Sequence, residues 1–236
     1  MLRTIATVAA LALLLPFLAW SQDASIEEVV VTALRRDVNL YDVADAITVF
    51  DRGTIERARI QRLNDVAALT PNLRFSDTQE VGVGTVTIRG VTQNRGIGET
   101  PVAYIADGVS VNTSLVTTQD LFDVAQIEVL RGPQGALHGR NAVAGAINIT
   151  TVAPGEEFEA FTRIRAAQGD DLSAEAAATL PFLDGRLRMR VAGYYQDRDG
   201  QLYNATIDRD VDYKESLGLR VRALYDVNDR VALDLR

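Results

Sequence analysis

From Phe158 onward, apolar residues recur at every second position, segment after segment, and no other feature of the sequence restricts the fold as much. Phe158, Ala160, Thr162, Ile164 and Ala166 form one such series, and Leu172, Ala174, Ala176, Ala178 and Leu180 the next. Leu187, Met189, Val191, Gly193 and Tyr195 alternate with Arg186, Arg188, Arg190, Ala192, Tyr194 and Gln196. Leu217, Leu219, Val221, Ala223 and Tyr225 do the same against Ser216, Gly218, Arg220, Arg222, Leu224 and Asp226, and Val231, Leu233 and Leu235 begin a fifth series. Successive side chains of a strand point to opposite faces, so each segment has one apolar and one largely polar face. The connections are short at 168–171, tight at Asp184-Gly185, long and polar at 197–212, and short at Asn228-Asp229. Short turns at one end and longer loops at the other are the habit of lipid-embedded barrels, and Tyr195 and Tyr225 near strand ends suit an aromatic girdle. A soluble β-sandwich also alternates; the connections and tyrosines favour the barrel. Five strands cannot close one, and an open edge in lipid strands backbone N–H and C=O groups, so the chain is expected to be the front of a longer protein continuing past Arg236.

Before Pro154-Gly155 the pattern differs. Short strand-like runs (46–50, 85–89, 102–106, 126–130 and 146–151) alternate with helical stretches at 54–60 and 64–69, the second capped by Asn64 and stopped before Pro71. This reads as a small α+β domain. At the N-terminus Arg3 precedes the apolar run Ile5–Leu18, and Ala19-Trp20-Ser21 offers small residues for cleavage before Gln22. The run is shorter than the roughly 20 residues of a membrane-spanning helix, and Pro16 breaks it, so a cleaved export signal is favoured over an anchor.

Composition removes several function classes. A net charge of −8 argues against a general nucleic-acid binder, which presents a basic patch. With no cysteine, there is no disulfide framework, thiolate metal site or cysteine nucleophile. Lys214 is the sole lysine, so positive charge is almost entirely guanidinium, whose rigid fork suits fixed carboxylate pairs. The glycine-rich stretch 132–145 lacks the Gly-Lys-Ser/Thr ending of a phosphate loop; its glycines instead permit positive φ and close backbone approach. His138, the only histidine, has no metal-ligand companion nearby in sequence and reads as a loop or packing residue. No catalytic constellation is evident, so no enzyme, metal or cofactor is expected.

The segment QIEVLRGPQGALHGRNAVAGAINIT at 126–150 resembles the plug signature of TonB-dependent outer-membrane receptors. So do IRG at 88–90 and VAYIADGV at 102–109, and EEVVVTA at 27–33 resembles the TonB box. Four blocks in the family's order make the resemblance specific. It implies a signal peptide (1–21), an N-terminal segment with the box (22–34), a plug domain (35–153) and the first strands of the barrel (154–236). The fold class expected is therefore an α+β plug followed by the first antiparallel strands of an incomplete transmembrane β-barrel. With the first strand rising from the periplasm, the turns at 184–185 and 228–229 are periplasmic and the 197–212 connection external.

Roles follow the same resemblance. Glu27, Glu28, Val29, Val30, Val31 and Thr32 form a β-prone strand lying beyond the folded plug, able to add to a sheet edge of TonB in the periplasm. Taken alone, Val29–Val31 reads equally as a buried strand. Arg89 and Arg131 each end an apolar run before a glycine; a solvated arginine is the default, while the resemblance implies pairing with barrel glutamates beyond Arg236. Polar loops at 76–84, 92–100 and 112–118 are the expected ligand face, with Gln93, Asn94, Arg95 and Glu99 as contacts. The function implied is TonB-driven uptake of a scarce solute across the outer membrane by a monomer embedded in outer-membrane lipid. The first expectation for the solute is a ferric siderophore, with cobalamin or an oligosaccharide as alternatives. A ligand-sensing signalling receptor is weaker, since only 22–26 separate the cleavage site from the box, and a secreted soluble binding protein is the remaining rival.

Overall fold

The computed structural model describes residues 30–31, 33, 38–39, 45–77, 84–92, 100–111, 119–139, 141–228 and 230–236. Two five-stranded sheets organise it. The plug sheet has the order β3-β9-β10-β7-β8, from β3 (Ile47–Asp51), β7 (Val102–Ala106), β8 (Val109–Ser110), β9 (Val124–Arg131) and β10 (Gly145–Thr151). β10 runs parallel to β7 and antiparallel to β9, so Ile147 faces both Tyr104 and Val129 across the ladders. Gly145 opens β10 because a Cβ there would collide with the Leu130 carbonyl oxygen. Only glycine allows that approach.

Period two divides this sheet's side chains between two apolar clusters. Phe50, Val102, Tyr104, Ile127, Val129 and Ile147 join the larger one under helices α1 (Arg52–Arg57) and α2 (Leu63–Leu69). Ala103, Ile105, Leu130 and Ala146 join the smaller, on the other face. α1 starts where the Asp51 carboxylate accepts from the Thr54 N–H at 3.0 Å. It stops before the expected Ile60 because Arg59 turns to φ 54°, with Ile60 N–H bonding Ile55 and Arg59 N–H bonding Glu56, a Schellman end closed by the Ile55 and Ile60 side chains. Asn64 does not cap α2. Asp65, one position on, accepts from the N–H groups of Gln61 (2.8 Å) and Arg62 (2.9 Å), and a carboxylate serves the positive helix start better than an amide. β4 (Leu73–Asp77), with no counterpart among the expected strands, pairs with β5 (Gly84–Ile88), which also pairs with β6 (Val91–Thr92). β1 (Val30–Val31) and β2 (Val38–Asn39) form an antiparallel pair.

The wall sheet is antiparallel throughout, in the order β11 (Glu159–Ala167), β12 (Asp171–Phe182), β13 (Leu187–Arg198), β16 (Lys214–Asn228), β17 (Val231–Leu235). The long connection folds as a small hairpin of β14 (Leu202–Asn204) and β15 (Arg209–Val211). The faces decide between barrel and sandwich. On β12, Ser173, Glu175, Ala177 and Thr179 are buried, and on β13 Arg190, Ala192, Tyr194 and Gln196. The apolar series faces away: Leu217 is 85% exposed, Leu219 75% and Ile164 71%. A soluble sandwich buries its apolar faces; here the polar face packs on the plug and the greasy one points out, as lipid requires. Tyr195 pairs with Leu217 and Tyr225 with Leu187, so the tyrosines bound the apolar stretch from 187 to 195 on β13. That stretch measures roughly 27 Å at about 3.4 Å per residue, comparable with a lipid-facing band of about 25 Å.

Candidate functional site

The plug meets the wall through the segment before β9. Asp123, in a left-handed turn at φ 50°, presents both carboxylate oxygens to Arg190 of β13: Nε donates to Oδ2 at 2.8 Å and Nη2 to Oδ1 at 2.5 Å. Both side chains are 2% exposed. Arg190 Nη1 also donates to Thr179 at 2.7 Å, and the Asp123 N–H donates to Glu175 at 2.9 Å. Glu175 accepts a further bond from Arg163 at 2.9 Å, and Arg163 reaches Glu56 of α1 at 2.7 Å. Strands β11, β12 and β13 are thereby tied to α1 and the β9 entry by one continuous charged network. Burial raises the Glu56 pKa, but the hydrogen bond and charge of Arg163, with Arg52, outweigh it and hold the carboxyl below its ordinary value.

Aromatic contacts extend the seam. Arg220 of β16 lies 4.4 Å over the Phe122 ring and donates to the Phe122 carbonyl at 2.8 Å, while Phe122 stacks on Tyr194 at 5.9 Å. Gly218 leaves room for that ring, since a Cβ there would sit 2.7 Å from it. Asp120 pairs with Lys214 and lies 3.6 Å from Arg62. None of Asp120, Phe122, Asp123, Glu175, Arg190 or Arg220 stands out in the sequence as a site residue. The available signal was the arginine on the polar face of a strand; what it lacked was any mark of its partner.

Arg89 and Arg131 sit elsewhere. Arg89 follows β5 at φ 51°, exposed, its N–H donating to Asn72 at 3.0 Å. Arg131 ends β9 and donates from Nη1 to the Pro71 carbonyl at 3.3 Å, while its buried Nε has no partner. Among the described residues neither arginine meets a carboxylate. Gln93, Asn94, Arg95 and Glu99 lie outside the described residues, as do Glu27, Glu28, Val29 and Thr32.

Val30 and Val31 correct the expectation of a strand beyond the folded plug. Val31 is 0% and Ala33 3% exposed, packed with Ala103, Ile105, Leu130, Ala142 and Ala146 on the second face of the plug sheet. Among the described residues no helix contributes a side chain to the apolar cluster on that face, so it needs a cover, and the N-terminal strand supplies one. Gln126 Nε2 donates to the Val30 carbonyl at 2.8 Å and to Glu128 Oε1 at 2.7 Å, and Asn148 donates to Glu128 Oε2 at 2.7 Å. His138, at the end of α3 (Gly135–His138), bonds the Ala33 carbonyl at 2.9 Å. Its place is thus a packing contact on the N-terminal segment.

Residues 39–146 match the TonB-dependent Receptor Plug Domain. The chain is 28% identical over 179 residues to the vitamin B12 transporter BtuB of Vibrio vulnificus, covering 74% of this chain and 28% of the relative. It is 29% identical over 203 residues to the pesticin receptor of Yersinia pestis, covering 84% and 30%. The chain thus spans about three tenths of the length of these relatives. The ferric yersiniabactin uptake receptor FyuA from Yersinia pestis superposes with a TM-score of 0.71 at 26% identity, over 76% of this chain and 28% of that one. The pyoverdine outer membrane receptor FpvA from Pseudomonas aeruginosa shares the fold, with a TM-score of 0.69 at 20% identity over 85% and 28%. A plug domain packed against the polar face of strands that turn their apolar face outward is what the structure presents, and residues 39–146 of it match the plug of TonB-dependent receptors.

Proposed function

We propose that this chain is the front portion of an outer-membrane transporter that takes up a scarce solute, a ferric siderophore first, with energy delivered by TonB. The domain division behind this reading is an export signal at 1–21, the box segment at 22–34, the plug at 35–153 and the first barrel strands at 154–236. The observation that carries it is the N-terminal strand, docked on the plug face opposite α1 and α2 by a handful of apolar side chains. A strand held this lightly is able to leave the plug and add to the sheet edge of a periplasmic partner. Ligand bound outside shifts the strand only through a difference in affinity for the docked and released states. Pulling on the released strand then remodels the plug and lets the ligand pass, with no chemical step and no catalytic residue. The siderophore reading is supported by a relative named for ferric yersiniabactin uptake and a fold neighbour bound to pyoverdine. The Vibrio vulnificus vitamin B12 transporter supports cobalamin as the second candidate.

Deleting residues 27–32 from the full-length protein should abolish energised uptake in a strain lacking other receptors for the ligand, while surface binding of the same radiolabelled ferric siderophore persists. Growth on that siderophore without the segment would sink the proposal. In the same assay Gln93→Ala with Arg95→Ala should weaken binding several-fold; unchanged affinity removes those residues from the ligand face.

A further inference from the structure

We propose that Gln126 and His138, neither of them in the N-terminal strand, form the hasp that keeps it docked and set how often it is released. The purpose of release rests on the uptake reading; the docking is a property of the fold. Val30 and Val31 pair with only two residues of β2, too little ladder to hold an extended segment in water. Among the described residues, two hydrogen bonds from outside the ladder end on main-chain carbonyls, at Val30 from β9 and at Ala33 from α3, one on each side of the buried Val31. The Gln126 amide is aimed: Glu128 Oε1 accepts from its nitrogen, so the same nitrogen, and not the oxygen, faces Val30. Asn148 steadies Glu128 in turn. His138 donates from Nε2, which fixes the proton on that nitrogen. Because the hasp grips backbone oxygens, it holds the segment in one register whatever its side chains. A Val30 carbonyl bonded to Gln126 is also withheld from an incoming strand, so docking and strand addition compete for the same atom.

Residues 1–236 hold no cysteine, so Val31→Cys in the full-length protein, with any cysteine beyond Arg236 first changed to Ser, carries a single thiol, shielded while the strand is docked. Its maleimide labelling rate follows the open fraction. Gln126→Leu and His138→Leu should each raise that rate about three- to tenfold, the effect of one lost net hydrogen bond. His138→Gln, which keeps a donor, should label like the parent. Ile147→Cys, buried in the cluster on the opposite face, should stay unlabelled in every background. Unchanged Val31→Cys rates in the leucine variants overturn the proposal, and so does labelling of Ile147→Cys rising in step, because that is general loosening. Capture of the parent protein by the periplasmic domain of TonB is read separately: its failure counts against the uptake reading and leaves the labelling result standing.

Discussion

Asp123 and Arg190 are the most consequential pair of side chains in the seam, because both are almost fully withdrawn from water and each satisfies the other through two bonds. Such a pair adds little net stability over an apolar replacement, yet breaking it leaves a buried charge alone. Asp123→Ala should therefore lower plug stability in the full-length protein by about 3–5 kcal/mol in urea unfolding. The double change Asp123→Leu with Arg190→Met should recover most of that loss. A single-variant loss below about 1 kcal/mol would mean water reaches Arg190. Glu56 is a milder case. Its carboxyl and that of Asp51, the latter through hydrogen bonding with Thr54, are both held below their ordinary values. A carboxylate with a depressed folded-state pKa contributes stability above its unfolded pKa and loses it as pH falls through the folded one. Stability should then be insensitive to these two groups from neutrality down to about pH 5, and fall below about pH 4. Glu56→Gln should flatten that acid limb; an unchanged limb would take Glu56 out of the seam's energetics.

The N-terminal strand shows why an element can be folded and still releasable. Burying Val31 and Ala33 contributes about 2–4 kcal/mol, and the bonds from Gln126 and His138 about 1 kcal/mol each. Ordering residues 30–33 costs about 4–8 kcal/mol of backbone entropy. These terms nearly cancel, so a small difference in ligand affinity moves the balance. The long wall strands carry the opposite design. Leu219 stands outward on β16 beside Arg220, which points at Phe122. Leu219→Arg in the full-length protein should impair insertion into lipid vesicles by about 2–4 kcal/mol if that face meets the bilayer core. On a water-exposed face the change would be neutral, and a neutral result would refute the lipid assignment. The period-two faces, the turn at Asp184-Gly185 and the tyrosine positions were legible because alternation is a local property of a strand. The cap of α2 was not, since Asn64 and Asp65 are both good candidates and only the path of 61–62 selects the carboxylate.

At the scale of the molecule, two surfaces that would each be poor in water are matched to each other and to lipid. The wall sheet turns arginines, glutamates and a tyrosine toward the plug, and the plug answers with Asp120, Phe122 and Asp123. The resemblance places the charge pairing on plug arginines; within the described residues the shortest arginine pairs of the seam run from wall arginines to plug carboxylates, with Arg52 of α1 reaching Glu159 of β11 at 3.9 Å in the other sense. Arg89 and Arg131 remain available for pairing of the sort the resemblance implies, beside Asn72 and Pro71.

By itself the sequence determined the kind of the longer elements and the sidedness of the wall strands. Hydrophobic period and turn glycines act within a few residues of themselves, and they leave a readable trace. The tertiary structure alone decided that Arg190 meets Asp123, 67 residues away, and that the strand at Val30–Val31 covers the second face of the plug sheet. An arginine on a polar face carries no mark of which carboxylate will face it, and an amphipathic strand none of which surface will lack a cover. Those partners are fixed only when both sheets have closed on each other and the charges left inside must find the nearest opposite.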